Sequence, residues 1–373
     1  MKLKIKQSTL MEHLNYVIKG VSTKNLIPIL GCIKFELSDN GLYLLSTDNE
    51  IAIKTFIPTS KIESIDEIGS IVISGRYIYE IIRKMPNDII NIEEVMDSKV
   101  YIYTDNSSFN LNCNNSSEFP NLNLDLSKSP ISLDKKIFKN IITQTSFASS
   151  TQESRPVLTG INFKIEKDLL ECTATDSYRL SKKMVKLDVN IENIINIIIP
   201  TKNLNELIKL INDDDEKINM HIFNNKVIFE FNNIIMMTTL INGSYPETSK
   251  LIPEDFLLEV NVNINELYNA LDRASLLTNL DDKNTVNLEV LENKLKISSN
   301  IPEIGNVEEN ISSSKNNNET IKISFSSRYM MEALKAFGDT NVVLCFNGEI
   351  KPIILKSTDN QDLIELILPI RIS

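Results

Sequence analysis

Three nine-residue segments recur along the chain at one spacing: Ser74-Gly75-Arg76-Tyr77-Ile78-Tyr79-Glu80-Ile81-Ile82, Pro200-Thr201-Lys202-Asn203-Leu204-Asn205-Glu206-Leu207-Ile208 and Ser326-Ser327-Arg328-Tyr329-Met330-Met331-Glu332-Ala333-Leu334. Their starts lie 126 residues apart both times. In each, a basic residue (Arg76, Lys202, Arg328) stands four before a glutamate (Glu80, Glu206, Glu332), which puts the two on one face of a helix. An apolar, strand-like run precedes each copy: Ile71 to Ile73, Ile197 to Ile199 and Ile321 to Phe325. Repetition at a fixed period confines a chain to a series of like units, so it constrains the fold more than any local motif.

A second helix-like segment opens each third, around Leu10 to Val17, Ile137 to Ile142 and Leu267 to Ala274, with apolar residues at three- and four-residue spacing. Strand pairs follow, Gly31 to Phe35 then Gly41 to Asp48, matched by Gly160 to Ile165 then Leu169 to Asp176, and both end in Thr-Asp. Phe119-Pro120, Tyr245-Pro246 and Leu368-Pro369 close the thirds, and the polar stretches 121–130 and 247–254 read as linkers. Three domains are expected, 1–127, 128–252 and 253–373, each with two helices segregated to one side of antiparallel sheets, an α+β fold. Units related by a constant rotation either close into a ring or continue as a filament, and the pattern alone leaves both open.

The chain carries a net charge of −11. The six helix-like segments (7–24, 75–85, 134–145, 201–211, 263–275 and 327–337) nonetheless hold 13 Lys/Arg against 7 Asp/Glu. Helices that face one common surface would make it an electropositive track able to meet phosphates without reading bases. The plain alternative is that Lys and Arg are good helix formers.

Catalytic signals are missing. The chain has no GxxxxGK[ST], GxGxxG, GxSxG or HExxH, and Cys32, Cys113, Cys172 and Cys345 stand singly, so neither a metal site nor a cofactor is expected. His13 reads as a surface or boundary residue of a helix and His221 as a strand residue. Asp48 and Asp176, a repeated pair, end strands and enter turns, where Asp bonds nearby backbone N–H groups. Asp213 to Lys217 reads as a solvated loop, and Ser312 to Thr320 as a hairpin tip or mobile loop with no function assigned. The most apolar run, Ile194-Ile195-Asn196-Ile197-Ile198-Ile199, is far short of the ~20 residues a membrane helix needs, and the N-terminus lacks a signal-peptide core, so a cytoplasmic protein is expected.

Local sequence then resembles one family along the whole length, the bacterial DNA polymerase III beta subunits, or β sliding clamps. Leu26-Ile27-Pro28-Ile29-Leu30-Gly31 is similar to its LPIL signature and Ser117-Glu118-Phe119-Pro120-Asn121-Leu122 to its domain-closing FP element. Thr175-Asp176-Ser177-Tyr178-Arg179-Leu180 resembles its TD(G/S)(H/Y)RL motif, and Leu368-Pro369-Ile370-Arg371-Ile372 its C-terminal (M/L)P(M/V/I)R segment. The resemblance implies a non-enzymatic head-to-tail homodimer, a six-domain ring with helices lining a hole for duplex DNA, which tethers the replicative polymerase as a processivity factor. A protein-only scaffold is the competing reading.

Residue by residue, the resemblance carries sequence-nonspecific DNA contact to Lys24, Arg76, Gln152 and Lys202. Pro156-Val157 stand where some members have two tyrosines. It implies a pocket for the short linear motif of the polymerase, clamp loader and repair proteins, formed by Leu158, Thr175, Ser177, Tyr178, Arg179, Leu180, Pro246, Lys250, Leu251, Leu366, Leu368, Pro369, Ile370 and Arg371. It places the dimer seam at Phe109 and Leu111 against Leu276 and Leu277. Glu303, Glu308 and Glu309 remain on one edge, while the other reads Asp105-Asn106-Ser107-Ser108, without a cation.

Overall fold

The structure, a computed structural model, describes residues 1–22, 27–95, 98–212, 216–278, 284–338, 340–358 and 362–371. Lys24 and Asp213 to Asp215 therefore lie outside the described residues.

Six α-helices occur among these residues: α1 (Gln7–Val17), α2 (Gly75–Lys84), α3 (Lys135–Thr145), α4 (Thr201–Ile208), α5 (Ile264–Ser275) and α6 (Ser327–Ala336). Each third of the chain holds two, at the places the apolar periodicity predicts. In α1 the buried side chains are Leu10, His13, Leu14 and Val17, one stripe at helical spacing. The predicted extension of this helix to residue 24 ends early, at Val17, in a 3-10 turn Ile18–Gly20. Close packing explains the stop: a Cβ at Gly20 would sit 2.5 Å from Ser46 Oγ, which itself donates to the Val17 carbonyl at 2.5 Å. Side-chain caps start other helices, Asn263 accepting from Glu266 N and Asp134 from Lys136 N.

The described residues form two compact units, 1–138 with 206–240, and 139–205 with 241–373. All inter-strand pairs are antiparallel, and every sheet lies within one unit. In the first unit, strand Ile51–Pro58 of the first repeat pairs with Ile234–Thr239 of the second. In the second, Arg179–Pro200 of the second repeat pairs with Leu363–Ile367 of the third. Sheets thus run through both repeat junctions, which is why the compact units cut across the sequence repeats.

Besides the terminal strands of the two sheets, two strand segments are open on one side among the described residues. Ser108–Asn115 pairs with Lys99–Tyr103 along residues 108–112 and with Gly69–Ser74 only at residues 113–115. Gly305–Lys315 pairs with Lys294–Ile301 along residues 305–312 and with Leu258–Asn263 only at residues 313–315. Ser312 to Lys315, predicted as loop, complete that strand. The turn beyond is held by Asn317 Nδ2 donating to the Leu257 carbonyl at 2.7 Å.

Both histidines are buried. His13 is a core residue rather than a surface one, its Nδ1 2.7 Å from Thr55 Oγ1, and burial lowers its pKa to about 4. His221 lies within a strand, as expected, with Nδ1 2.6 Å from the Lys128 carbonyl.

Candidate functional site

The segment Thr175-Asp176-Ser177-Tyr178-Arg179 forms a turn built by its own side chains. Asp176 Oδ1 accepts from Tyr178 N and Arg179 N at 2.9 and 3.0 Å. Thr175 Oγ1 donates to the Arg179 carbonyl at 2.6 Å and accepts from Ser177 N at 3.2 Å. Ser177 takes the left-handed conformation, φ 76°, that this geometry requires. Asp176 is thus occupied as a turn residue, as the sequence pattern predicts. Fixing the turn presents Tyr178, which is 50% exposed.

Arg179 behaves differently. It is buried, with Nε donating to Asp176 Oδ2 at 3.0 Å, Nη2 to the Phe147 carbonyl at 2.6 Å and Nη1 to Glu332 of α6. Its guanidinium stacks over Tyr329, 4.4 Å from the ring centroid. These donors face inward, so Arg179 joins the second repeat to the third. Burial alone would raise the Glu332 carboxyl, but the hydrogen bonds and charges of Arg179 and Arg328 hold it below the usual carboxylate range.

The residues named from sequence for a peptide pocket divide by exposure into a buried and an exposed set. Leu158, Thr175, Arg179, Leu180 and Leu366 are buried. Leu180 and Leu366 share one apolar cluster with Cys345 and Ile354. Ser177, Tyr178, Pro246, Lys250, Leu251, Leu368 and Arg371 are exposed, with Pro369 and Ile370 half-buried. The C-terminal segment is tied to this region: Leu368 N donates to the Tyr178 carbonyl at 2.9 Å and Ile370 N to the Ser324 carbonyl at 2.7 Å. Lys250 and Leu251 sit in the 3-10 turn Ser249–Leu251.

Arg76 and Lys202 are each the second residue of their helices, α2 and α4, and both are exposed. Neither has an ion pair among the described residues. Gln152 is exposed as well. Other helix cations are not available in the same way. Lys135 is buried, with Nζ donating to Glu216 and Asn232 at 3.0 and 2.8 Å, so the helix charge count overstates the exposed positive surface.

Exposed apolar side chains accompany the open strand edges. Phe109 is exposed and Leu111 half-buried on the first. Leu276 (78% exposed) and half-buried Leu277 follow α5, whose Ala274 carbonyl accepts from Ser299 Oγ beside the second edge; Ile304 (71% exposed) precedes that edge. The acids of this edge have partners inside the chain: Arg273 grips Glu309 through two bonds of 2.8 Å, and Lys296 lies 2.8 Å from Glu308. Those bonds hold both carboxyls below the ordinary range.

Sequence reading missed Glu332, Tyr329 and Phe147 as partners of Arg179, and Ile304 beside the open edge. Glu332 was visible as a repeated position, but its partner 153 residues away was not.

Comparison with known proteins agrees over the full length. Models of the DNA polymerase III beta subunit match in chain order, the N-terminal domain at residues 1–123, the central domain at 132–247 and the C-terminal domain at 249–371. The beta sliding clamp of Bacillus subtilis (strain 168) is 38% identical over 376 residues, covering 100% of both chains. That of Staphylococcus epidermidis (strain ATCC 12228) is 39% identical over 375 residues, covering 100% of this chain and 99% of the relative. The crystal structure of the DNA polymerase sliding clamp from Bacillus subtilis superposes with a TM-score of 0.97 at 37% identity, and that of the beta subunit from Streptococcus pyogenes with 0.95 at 31%, each covering 100% of both chains. With this fold, this order of domains and these relatives, the chain belongs to the DNA polymerase III beta subunit family.

Proposed function

We infer that the chain is a DNA sliding clamp, a processivity factor that encircles duplex DNA and tethers the replicative polymerase. The observation that carries this reading is the pair of open strand edges, residues 108–112 and 305–312, each accompanied by exposed apolar side chains. Two different edges on one chain pair head to tail with a second copy, and a head-to-tail contact closes a ring when the rotation allows it. Phe109 and Leu111 of one chain meet Leu276 and Leu277 of the next, and each chain contributes domains 1–127, 128–252 and 253–373. With Glu308 and Glu309 already paired in their own chain, the seam rests on strand pairing and apolar burial.

Encirclement supplies retention, so phosphate contacts need only be shallow and blind to sequence. Arg76, Lys202, Gln152 and Lys24 make them. The cleft over Leu158, Leu180 and Leu366, rimmed by Tyr178, Lys250, Leu251 and residues 368–371, takes the short linear motif of polymerase, clamp loader and repair proteins in the cytoplasm. An apolar floor with a few polar groups at its edge is what such a peptide needs. The chain has no catalytic activity of its own, and loading comes from a separate ATP-driven machine.

Retention on DNA tests the whole reading. Clamp loaded onto nicked circular DNA should remain bound in high salt and be lost when the circle is cut. Loss at equal rates from circular and linear DNA would leave a protein-only scaffold. Leu276→Glu with Leu277→Glu should sediment as a folded monomer near 42.3 kDa; a persisting dimer would displace the seam.

A further inference from the structure

The three repeated helices differ in how they use their charges. Each repeat carries a base, a glutamate four residues on and a second base three beyond: Arg76, Glu80 and Arg83; Lys202, Glu206 and, directly after α4, Lys209; Arg328, Glu332 and Lys335. In α2 the glutamate pairs with the trailing base, Arg83 to Glu80 at 2.6 Å. The second repeat does the same, Lys209 to Glu206 at 2.6 Å. Both leading bases, Arg76 and Lys202, are left without an ion pair among the described residues.

In α6 the pairing is exchanged. Lys335 lies over the Tyr268 ring, 5.1 Å from its centroid, and is drawn off the glutamate. Glu332 instead takes the leading base, with Arg328 Nε 3.1 Å from Oε1, while Oε2 accepts from the buried Arg179. An ordinary exposed pair at this spacing is weak because both side chains are free to leave it. Here one partner is not free. Arg179 is itself fixed by Asp176, the Phe147 carbonyl and the Tyr329 ring, so the carboxylate stays under Arg328.

We propose that Arg328 is a masked phosphate contact, the third-repeat counterpart of Arg76 and Lys202, whose charge Glu332 compensates so that this leading base adds none to the DNA-facing track. This rests on the reading that the leading bases of these helices face DNA. The track is then uneven, its leading base uncompensated on the first two repeats and compensated on the third. Arg328 remains 65% exposed, so its side chain is accessible and only its charge is compensated.

The test is direct binding of duplex DNA to the purified full-length protein across a salt titration, with four variants. Each phosphate contact contributes about 0.9 to the slope of log affinity against log salt. Arg76→Ala should flatten the slope by about that amount, whereas Arg328→Ala should leave it unchanged. Glu332→Gln should steepen it by a similar step and tighten binding several-fold at low salt, and the double variant Arg328→Ala, Glu332→Gln should return to wild type. Arg328→Ala carries little folding risk, since the residue is exposed. If it flattens the slope as Arg76→Ala does, Arg328 is already in contact and the masking is overturned. A Glu332→Gln gain that survives removal of Arg328, or no gain in a folded Glu332→Gln protein, overturns it equally. Failure of Arg76→Ala alone, with the Glu332→Gln gain still reversed by Arg328→Ala, would sink the broader reading of the leading bases and leave Arg328 as a contact.

Discussion

The turns Thr47-Asp48-Asn49-Glu50-Ile51 and Thr175-Asp176-Ser177-Tyr178-Arg179 are the same object built twice. In the first, Asp48 Oδ1 accepts from Glu50 N and Ile51 N at 2.9 and 2.8 Å. Thr47 Oγ1 donates to the Ile51 carbonyl at 2.7 Å and accepts from Asn49 N at 3.1 Å. Asn49 has φ 77°, against 76° for Ser177. Even the strand laid alongside matches, since Thr239 N donates to the Glu50 carbonyl at 2.9 Å, as Leu368 N does to that of Tyr178. The backbone therefore does not distinguish the repeat junction proposed to receive a peptide from the other. Side chains do: Glu50 and the buried Ile51 stand where the other turn has Tyr178 and Arg179, and Leu368-Pro369-Ile370-Arg371 stand where the first junction has Thr239-Leu240-Ile241-Asn242.

Removing that C-terminal segment should break the comparison most. Deletion of residues 368–373 takes away the strand extension over Tyr178 and the apolar side chains of Leu368 and Ile370. A polymerase-derived clamp-binding peptide should lose about 2–5 kcal/mol of affinity, as read by calorimetry, while light scattering still reports a dimer. Equal affinity in the truncated protein would move the partner site elsewhere.

Aspartate removal should separate the two turns by stability. Asp48→Ala deletes an acceptor of two backbone N–H groups and should cost about 1–2 kcal/mol. Asp176→Ala deletes the same acceptor and also a carboxylate partner of buried Arg179, so its cost should be about 2–4 kcal/mol. Equal losses in denaturant titration would mean that Glu332 and the Phe147 carbonyl suffice for Arg179.

Exchanging the presented residue should have a milder effect. Tyr178→Glu, which copies the first turn, should weaken the peptide about tenfold, or about 1.4 kcal/mol, with no loss of fold. Glu50→Tyr should change nothing. Peptide affinity that ignores Tyr178→Glu would remove this side chain from the rim.

Much of this is legible in the sequence. The helix positions and the strands before them follow from apolar spacing, and the turn role of Asp48 and Asp176 from their place after a strand. Local chemistry of that kind is written within a few residues. What could not be read depends on partners far along the chain. Arg179 has the composition of a rim donor, and only its burial against Phe147, Tyr329 and Glu332 shows that its donors face inward. Lys135 likewise counts as helix surface charge until Glu216 and Asn232 are seen around it. The early end of α1 needed the approach of Ser46 to Gly20, 26 residues apart in sequence.

The finest difference between the two junctions lies one step inside the turns. Ser181 faces Glu365 across the sheet, where the first junction pairs Ile53 with Met236. Ser181 Oγ is 2.8 Å from the Gln144 carbonyl and 2.7 Å from Glu365 Oε1. A hydroxyl has one proton and the carbonyl can only accept, so both bonds form when Ser181 donates to Gln144 and a protonated Glu365 donates to Ser181. Burial pushes the Glu365 pKa well above 4.5, against the opposing pulls of the Ser181 hydrogen bond and the Arg179 charge. The folded protein then keeps a proton that the unfolded chain releases, so this group makes stability fall as pH rises above 4.5 toward the raised folded value. Glu365→Gln keeps the donor to Ser181 and cannot ionise. Its melting temperature should nearly equal that of wild type at pH 5 and exceed it by a widening margin toward pH 8. Two parallel curves across that range would show that Glu365 titrates alike in both states, and the polar pair would then differ from Ile53 and Met236 in packing alone.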